Sequence, residues 1–189
     1  CLCWSSTLRT DLYAFVGLVA AGGCKPAAVS PTTPLQAGEV LLVHTNDLHA
    51  HFRPTKAEWL PGKPEIGGFR ALDAWINVLE RTHTEDGVLY LDGGDLLTGT
   101  PLMEYPVEGV EGGAMLQFLE AVGCDAWALG NHELDRGWDN AAGLVAQSSM
   151  PVLSANVRSA SDIEEPGFPG MKRSVTFERN GISIGVVGR

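Results

Sequence analysis

The sequence is poor in cysteine, and its few cysteines are unevenly placed. Cys1, Cys3 and Cys24 lie near the start of the chain, and Cys124 stands alone in the remainder. This distribution argues against a disulfide framework, and the absence of a second pair at ligand spacing disfavours a cysteine zinc site. Cys124 falls between apolar segments, so we expect a small buried thiol there rather than a nucleophile.

Basic residues are also scarce. The chain has 13 Lys and Arg against 23 Asp and Glu, a net charge of −10. Such a charge repels polyanions, so nucleic acid is not an expected partner. It does not exclude a small phosphorylated substrate, because bound divalent cations can invert the local field of a site.

No apolar run is long enough to span a bilayer. The uncharged stretch at residues 12–23 has the length of the apolar core of a secretory signal, so residues 1–23 are predicted to be one. A buried helix is the less favoured alternative, because no polar face accompanies the stretch. The residues ending in Cys24 resemble the lipobox of bacterial lipoproteins, in which that cysteine is acylated.

Residues 24–38 are predicted to form a tether that links this signal to the rest of the chain. They are rich in Pro, Ala, Ser and Thr, a composition that extends and buries no core. A lipid on Cys24 would then be the only membrane contact. We therefore expect a lipoprotein of a bacterial periplasm or cell envelope, with its folded part at residues 39–189.

The folded part alternates between strand-like and helix-like patterns. One domain is expected from 189 residues, and the alternation predicts an α/β fold with a largely parallel sheet, helices packed on it and right-handed crossovers. The predicted strands are residues 40–45, 88–91, 126–129 and 152–155, and the predicted helices start at residue 69, cover about 114–122 and cover about 138–147. Apolar residues that alternate around Asn180 and Gly181 predict a hairpin at the C-terminal end.

Polar groups follow three of these strands at the point where each ends. The first is followed by Asp47-Leu48-His49, the second by Gly94-Asp95 and the third by Gly130-Asn131-His132-Glu133. Any one group is explained by ordinary turn chemistry. Three in a row predict a shared site, because ligands of open parallel sheets bind at the carboxyl ends of the strands.

These motifs resemble the calcineurin-like metallophosphoesterases, and among them the 5′-nucleotidase branch. The resemblance covers nearly all of residues 40–188 and is carried by HTNDLHAHF at 44–52, GGFR at 67–70, GDLLTGTPL at 94–102, GNHELDRG at 130–137 and PVLSANV at 151–157. It implies the N-terminal half of a layered αββα sandwich.

The resemblance also implies roles for individual residues. Asp47 and His49 would bind one metal ion, Asp95 would bridge two ions, and Asn131 would bind the second. His132 would act beside the phosphate as a transition-state stabiliser or proton donor. Paired cations stabilise an in-line displacement and lower the pKa of bound water. The mixed ligands suit Mn, Zn or Fe better than Ca.

The polar residues next to these motifs could each have more than one role. Glu133 would either orient His132 or cap the turn that follows it, and the sequence does not choose between the two. His44 and His51 flank the first motif and are expected to support it or to lie on the surface.

The implied activity is hydrolysis of a nucleoside monophosphate, a cyclic nucleotide or a nucleotide sugar. A sulfur-oxidation hydrolase of the same branch shares the metal motifs and is an alternative. A non-catalytic envelope lipoprotein that keeps the sheet for partner binding is another.

The family pattern continues with a further His and a Gly-His-x-His motif, and neither follows Asn156 in these residues. Each metal ion would lack ligands, so the 189-residue chain should bind metal weakly and hydrolyse little. An assay of this chain with Mn²⁺ and a generic phosphomonoester checks the expectation. Robust turnover would show that the missing histidines do not matter.

Overall fold

The computed structural model describes residues 4–8, 35, 37–162 and 164–189. Cys24 and the apolar stretch at residues 12–23 lie outside the described residues. Residues 4–8 of the predicted signal are described and form a strand, whereas signal function, the tether and the lipid anchor stay predictions. Within the described part, no helix combines the length and apolarity that crossing a bilayer requires.

The described residues form strands and helices in a regular order, with short 3₁₀ turns between some of them. In chain order the elements are β1 (Trp4–Leu8), β2 (Val40–Thr45), β3 (Thr55–Lys56), β4 (Glu65–Ile66), α1 (Phe69–His83), β5 (Val88–Asp92), α2 (Gly113–Ala121), β6 (Ala126–Ala128), α3 (Trp138–Gln147), β7 (Val152–Leu153), β8 (Ser174–Arg179) and β9 (Ile182–Val187).

The main sheet has the strand order β1-β2-β5-β6-β7. Strands β2, β5, β6 and β7 run parallel, and β1 pairs antiparallel with the outer edge of β2. The four parallel strands are those expected from the apolar runs, and the helices α1, α2 and α3 connect them. The predicted α/β fold is confirmed.

The core lies between one face of this sheet and the three helices. Alternate strand residues such as Val43, Tyr90 and Trp127 pack there against Ile76 of α1 and Leu116 of α2, and all five are nearly inaccessible to solvent. Burial of such side chains contributes about 1.5–3 kcal/mol each. Packing on this face of the sheet therefore stabilises the fold.

The C-terminal strands β8 and β9 form the predicted hairpin. Asn180 and Gly181 at its tip both have positive φ, 46° and 79°, the requirement of a type I′ turn. The tip is fastened to the main sheet: Asn180 Nδ2 donates to the carbonyl of Glu39 at 2.8 Å, and Arg179 Nε donates to the carbonyl of Val88 at 3.1 Å. Arg179 also pairs with Asp125 at 2.5 Å.

Some details differ from the sequence pattern. The short hairpin of β3 and β4 was not expected, because two-residue exposed strands leave no alternating signal. Trp75, which falls near the apolar stripe of α1, is 55% exposed. Cys124 is a buried free thiol, as expected.

The pairing register brings the carboxyl ends of three strands to one edge. Leu41 lies beside Val88 and Thr45 beside Asp92, so β2 and β5 end level with each other. Strand β6 continues this edge through its pairing with β5. The loops that follow β2, β5 and β6 therefore start side by side.

Candidate metal centre

The loops after β2 and β5 run together through backbone hydrogen bonds. The amides of Asp47, His49 and Ala50 donate to the carbonyls of Gly94, Asp95 and Leu96, at 3.0, 3.0 and 2.8 Å. A ladder of this kind fixes two irregular segments against each other as a sheet would. Two motifs that are far apart in sequence are thus held in register.

Four non-glycine residues in this ladder have a left-handed backbone. The φ angles of Asp47, His49, Ala50 and Asp95 are 54°, 47°, 52° and 58°. Non-glycine residues rarely adopt such angles, and strain of this kind persists only where the surroundings enforce it. Three of these four residues are predicted metal ligands, so the backbone conformation sets where their side chains start.

The ring of His49 is oriented by a neighbouring carbonyl. Its Nδ1 lies 3.0 Å from the carbonyl oxygen of Leu97, which fixes Nδ1 as the donor and leaves Nε2 with its lone pair. That Nε2 lies 3.7 Å from Oδ1 of Asp47. His49 therefore presents the atom that a metal ion would bind.

A compact group of possible ligand atoms lies at this edge. One ligand atom each from His49, Asp95 and His132 lies within 4.8 Å of the other two, and the three residues are half-buried. The rings of His49 and His132 meet edge to face, with centroids 4.9 Å apart. Two imidazoles and a carboxylate at this spacing could hold a metal ion.

His132 is held by a residue that the sequence pattern did not single out. Its Nδ1 lies 2.7 Å from Oδ2 of Asp135, and this hydrogen bond is the main cause of a raised His132 pKa. The same bond, together with one from Thr98, lowers the pKa of Asp135. The i, i+3 spacing of His132 and Asp135 within GNHELDRG was the available signal.

Both roles considered for Glu133 are wrong. Its side chain is fully buried and accepts backbone hydrogen bonds from Asp95 at 3.0 Å, Leu96 at 2.7 Å and Gly130 at 2.7 Å. Burial raises its pKa, and these donors oppose the rise. Glu133 neither orients His132 nor caps the next turn. It joins the loop after β5 to the loop after β6.

Two glycines permit this close approach. A Cβ on Gly94, whose φ is 91°, would lie 2.5 Å from the carbonyl oxygen of Ala128. A Cβ on Gly130 would collide with Oδ1 of Asp95. The glycines that the motifs place at strand ends are therefore required by contact between loops.

The remaining predicted ligands lie beside this group. The carboxylate of Asp47 reaches His49 and also accepts from the side chain of Asn46. Asn131 is exposed and precedes the 3₁₀ turn that carries His132, whose amide donates to Oδ1 of Asp95 at 2.9 Å. The structure thus brings His49, Asp95 and His132 together, while Asp47 lies near His49 and Asn131 precedes His132 in the chain.

The two flanking histidines are peripheral. His44 is exposed on β2, and His51 is exposed with its Nδ1 3.0 Å from the carbonyl of His49. Both positions agree with the supporting or surface roles expected from the sequence.

Comparisons with known proteins point to one family. The calcineurin-like phosphoesterase family matches residues 40–175. A 5′-nucleotidase of Diplobatis ommata is 37% identical over 156 residues, which make up 79% of this chain and 25% of that protein.

Solved structures agree with this match. The crystal structure of a 5′-nucleotidase precursor from Thermus thermophilus superposes with a TM-score of 0.67 at 29% identity, covering 79% of this chain and 28% of that one. An NAD nucleotidase from Haemophilus influenzae gives 0.62 at 30% identity, covering 77% and 25%. The chain thus spans about a quarter of the length of the relatives it matches.

A second buried acid, Asp92, lies at the end of β5. Its Oδ2 accepts from Thr45 Oγ1 at 2.5 Å and its Oδ1 from the amide of Gly94 at 2.8 Å, while Thr45 Oγ1 also lies 2.7 Å from the hydroxyl of Tyr90. Burial raises the Asp92 pKa to about 7, and the two hydrogen bonds oppose the rise. The fold therefore favours the protonated carboxyl.

This preference predicts a pH-dependent stability. The folded state binds the Asp92 proton more tightly than the unfolded chain, whose pKa is near the ordinary 3.8, so this group's contribution falls as pH rises from about 4 to about 7. Asp92→Asn mimics the protonated form, since its amide can donate to Thr45 and accept from Gly94.

The free energy of unfolding is measured with urea in EDTA. As the pH is raised from 5 to 8, the stability of Asp92→Asn relative to wild type should increase by about 2–4 kcal/mol. The exposed Asp73→Asn should follow the wild-type pH dependence. A difference between Asp92→Asn and wild type that does not change with pH would contradict the raised pKa.

Proposed function

The chain belongs to the calcineurin-like phosphoesterase family, and from this premise we propose that the protein is a metal-dependent hydrolase of nucleotide phosphoesters. The observation that supports the proposal most strongly is the meeting of His49, Asp95 and His132, which come from three separate loops, within 4.8 Å. If these loops served only as turns, nothing would require their imidazole and carboxylate groups to meet at one point.

The donor set supports a pair of first-row divalent cations. We propose that Asp47 and His49 hold one ion, that Asn131 holds the other and that Asp95 lies between them. Imidazole nitrogen, carboxylate oxygen and amide oxygen together suit Mn, Zn or Fe. When bound, such ions neutralise charge on the phosphoryl oxygens and lower the pKa of bound water.

The protein's own groups would do the rest of the chemistry. His132 directs Nδ1 to Asp135, so its Nε2 is available to face a phosphoester. A raised His132 pKa, caused chiefly by that hydrogen bond, keeps a proton for the leaving-group oxygen. The backbone ladder holds Asp47, His49 and Asp95 in place before substrate arrives, which reduces reorganisation during the reaction.

A nucleotide substrate is supported by the names of the relatives. The matched proteins include a 5′-nucleotidase and an NAD nucleotidase. A nucleoside monophosphate, a 2′,3′-cyclic nucleotide and a nucleotide sugar are all compatible with the proposed chemistry. The net charge of −10 makes a small nucleotide a better substrate than a nucleic acid.

The proposal is tested in the protein expressed from its complete gene. With Mn²⁺ it should hydrolyse at least one of these nucleotides, and Asp95→Asn should lower kcat by about a hundredfold or more because the central carboxylate is lost. Asp73→Asn makes the same charge change on the surface of α1 and should retain full activity. Metal content is measured in parallel.

The same assay separates the alternatives. Turnover of a sulfur ester without turnover of nucleotides would favour the sulfur-oxidation hydrolase. A protein that contains no metal, and whose properties do not change in Asp95→Asn, would favour the non-catalytic lipoprotein. Either outcome contradicts the nucleotide hydrolase.

We also propose that the protein is an envelope lipoprotein anchored through Cys24. The support is the order of features in the sequence: an apolar stretch, small residues before a cysteine, and a Pro-rich tether. Cells that express the complete gene should incorporate labelled fatty acid into the protein. Cys24→Ser should abolish the label and release the protein from membranes. Labelling that persists in Cys24→Ser would refute the anchor.

A further inference from the structure

The loop after β5 carries a hydroxyl that contacts the partner of His132. Thr98 Oγ1 donates to Oδ2 of Asp135 at 2.7 Å, and the same oxygen accepts from Nδ1 of His132 at 2.7 Å. A carboxylate can only accept here, so Thr98 and His132 must both donate. One oxygen of Asp135 is therefore fixed from two sides.

Thr98 holds this position with an unfavourable backbone. Its φ is 66°, and a β-branched residue in the left-handed region is a genuine outlier. The segment cannot easily relax: Leu97 beside it is fully buried, and a Cβ on Gly99 would lie 2.5 Å from the carbonyl oxygen of His49. Backbone strain that the surrounding structure enforces is concentrated at functional sites, so the φ of Thr98 supports a functional role for this residue.

The His132–Asp135 pair needs such support. The side chains of His132 and Asp135 are 32% and 43% exposed, and an exposed ion pair gains little because ordering two side chains costs entropy. A second donor from a rigid loop removes part of that freedom. It also links the loop of Asp95 to the loop of His132 at a point separate from Glu133.

We propose that Thr98 is a positioning residue for the proton-donating His132, acting through Asp135. This inference rests on the proposed hydrolase function. Thr98 would set the orientation of the imidazole, so that Nδ1 keeps its proton for Asp135 and Nε2 faces the substrate. Loss of the hydroxyl should then slow the chemical step and leave substrate binding nearly unchanged.

Three substitutions in the complete gene product separate the hydroxyl from the strained backbone. Thr98→Val keeps the shape and strain but loses the donor, and kcat should fall about tenfold with KM within about twofold. Thr98→Ser keeps the donor and should stay within about threefold of the wild-type kcat. Thr98→Gly relieves the strain, so it should unfold at no lower urea concentration than wild type while its kcat falls as in Thr98→Val.

Thr82→Val is the matched control. The Thr82 hydroxyl donates to the carbonyl of Val78 on the exposed side of α1, so its loss should not alter kcat. A Thr98→Val enzyme with at least half of the wild-type kcat would overturn the proposal. A Thr98→Ser enzyme as slow as Thr98→Val would overturn it too, because the effect would not follow the hydroxyl.

Spectra of ¹⁵N-histidine in the same proteins test the inference independently of activity. At a pH high enough to remove the Nε2 proton, wild type should show neutral His132 as the Nδ1–H tautomer, and Thr98→Val should show a mixture of tautomers. An unchanged His132 signal in Thr98→Val would overturn the positioning role. A wild type that has no metal-dependent hydrolysis but shows the expected spectra would refute the proposed function and leave the contact between Thr98 and Asp135 established.

Discussion

The candidate site depends on one buried carboxylate, that of Glu133. A charge at a fully buried position is costly to desolvate and is tolerated only when its oxygens accept several hydrogen bonds. Glu133 accepts them from the backbone of Asp95, Leu96 and Gly130, which belong to two different loops. The cost of the buried charge is offset only when these loops meet, and their meeting brings Asp95 next to His132.

The other features of the site follow from this closeness. The glycines at strand ends are needed because a Cβ would collide with the opposite loop, and the left-handed backbone of Asp47, His49 and Asp95 is held by the ladder between the loops. The arrangement also concentrates negative charge. Repulsion from Glu133 and Asp47 contributes to the raised pKa of Asp92, and repulsion from Asp95 contributes to that of Glu133. A divalent cation would relieve this repulsion, so cation binding and loop closure should stabilise each other.

The parallel sheet and the residues of the site were largely predictable. Strands such as β2 and β5 are continuous apolar runs, and the polar groups that follow them have a fixed place at the carboxyl edge. The interactions between loops were not predictable. Glu133 and Asp135 lie in one motif, and only the fold decides that Glu133 turns inward while Asp135 reaches His132. Thr98 gave no periodic signal, because its role depends on a tertiary contact with Asp135 across 37 positions of sequence.

The central claim is that the loops after β2, β5 and β6 form one metal site. Crystals of the complete gene product soaked in Mn²⁺ test it most directly, through the anomalous scattering of the metal. We expect an anomalous peak about 2.0–2.3 Å from Nε2 of His49 and from a carboxylate oxygen of Asp95. No peak at this edge of the sheet, or a peak bound only by other residues, would contradict the shared metal site.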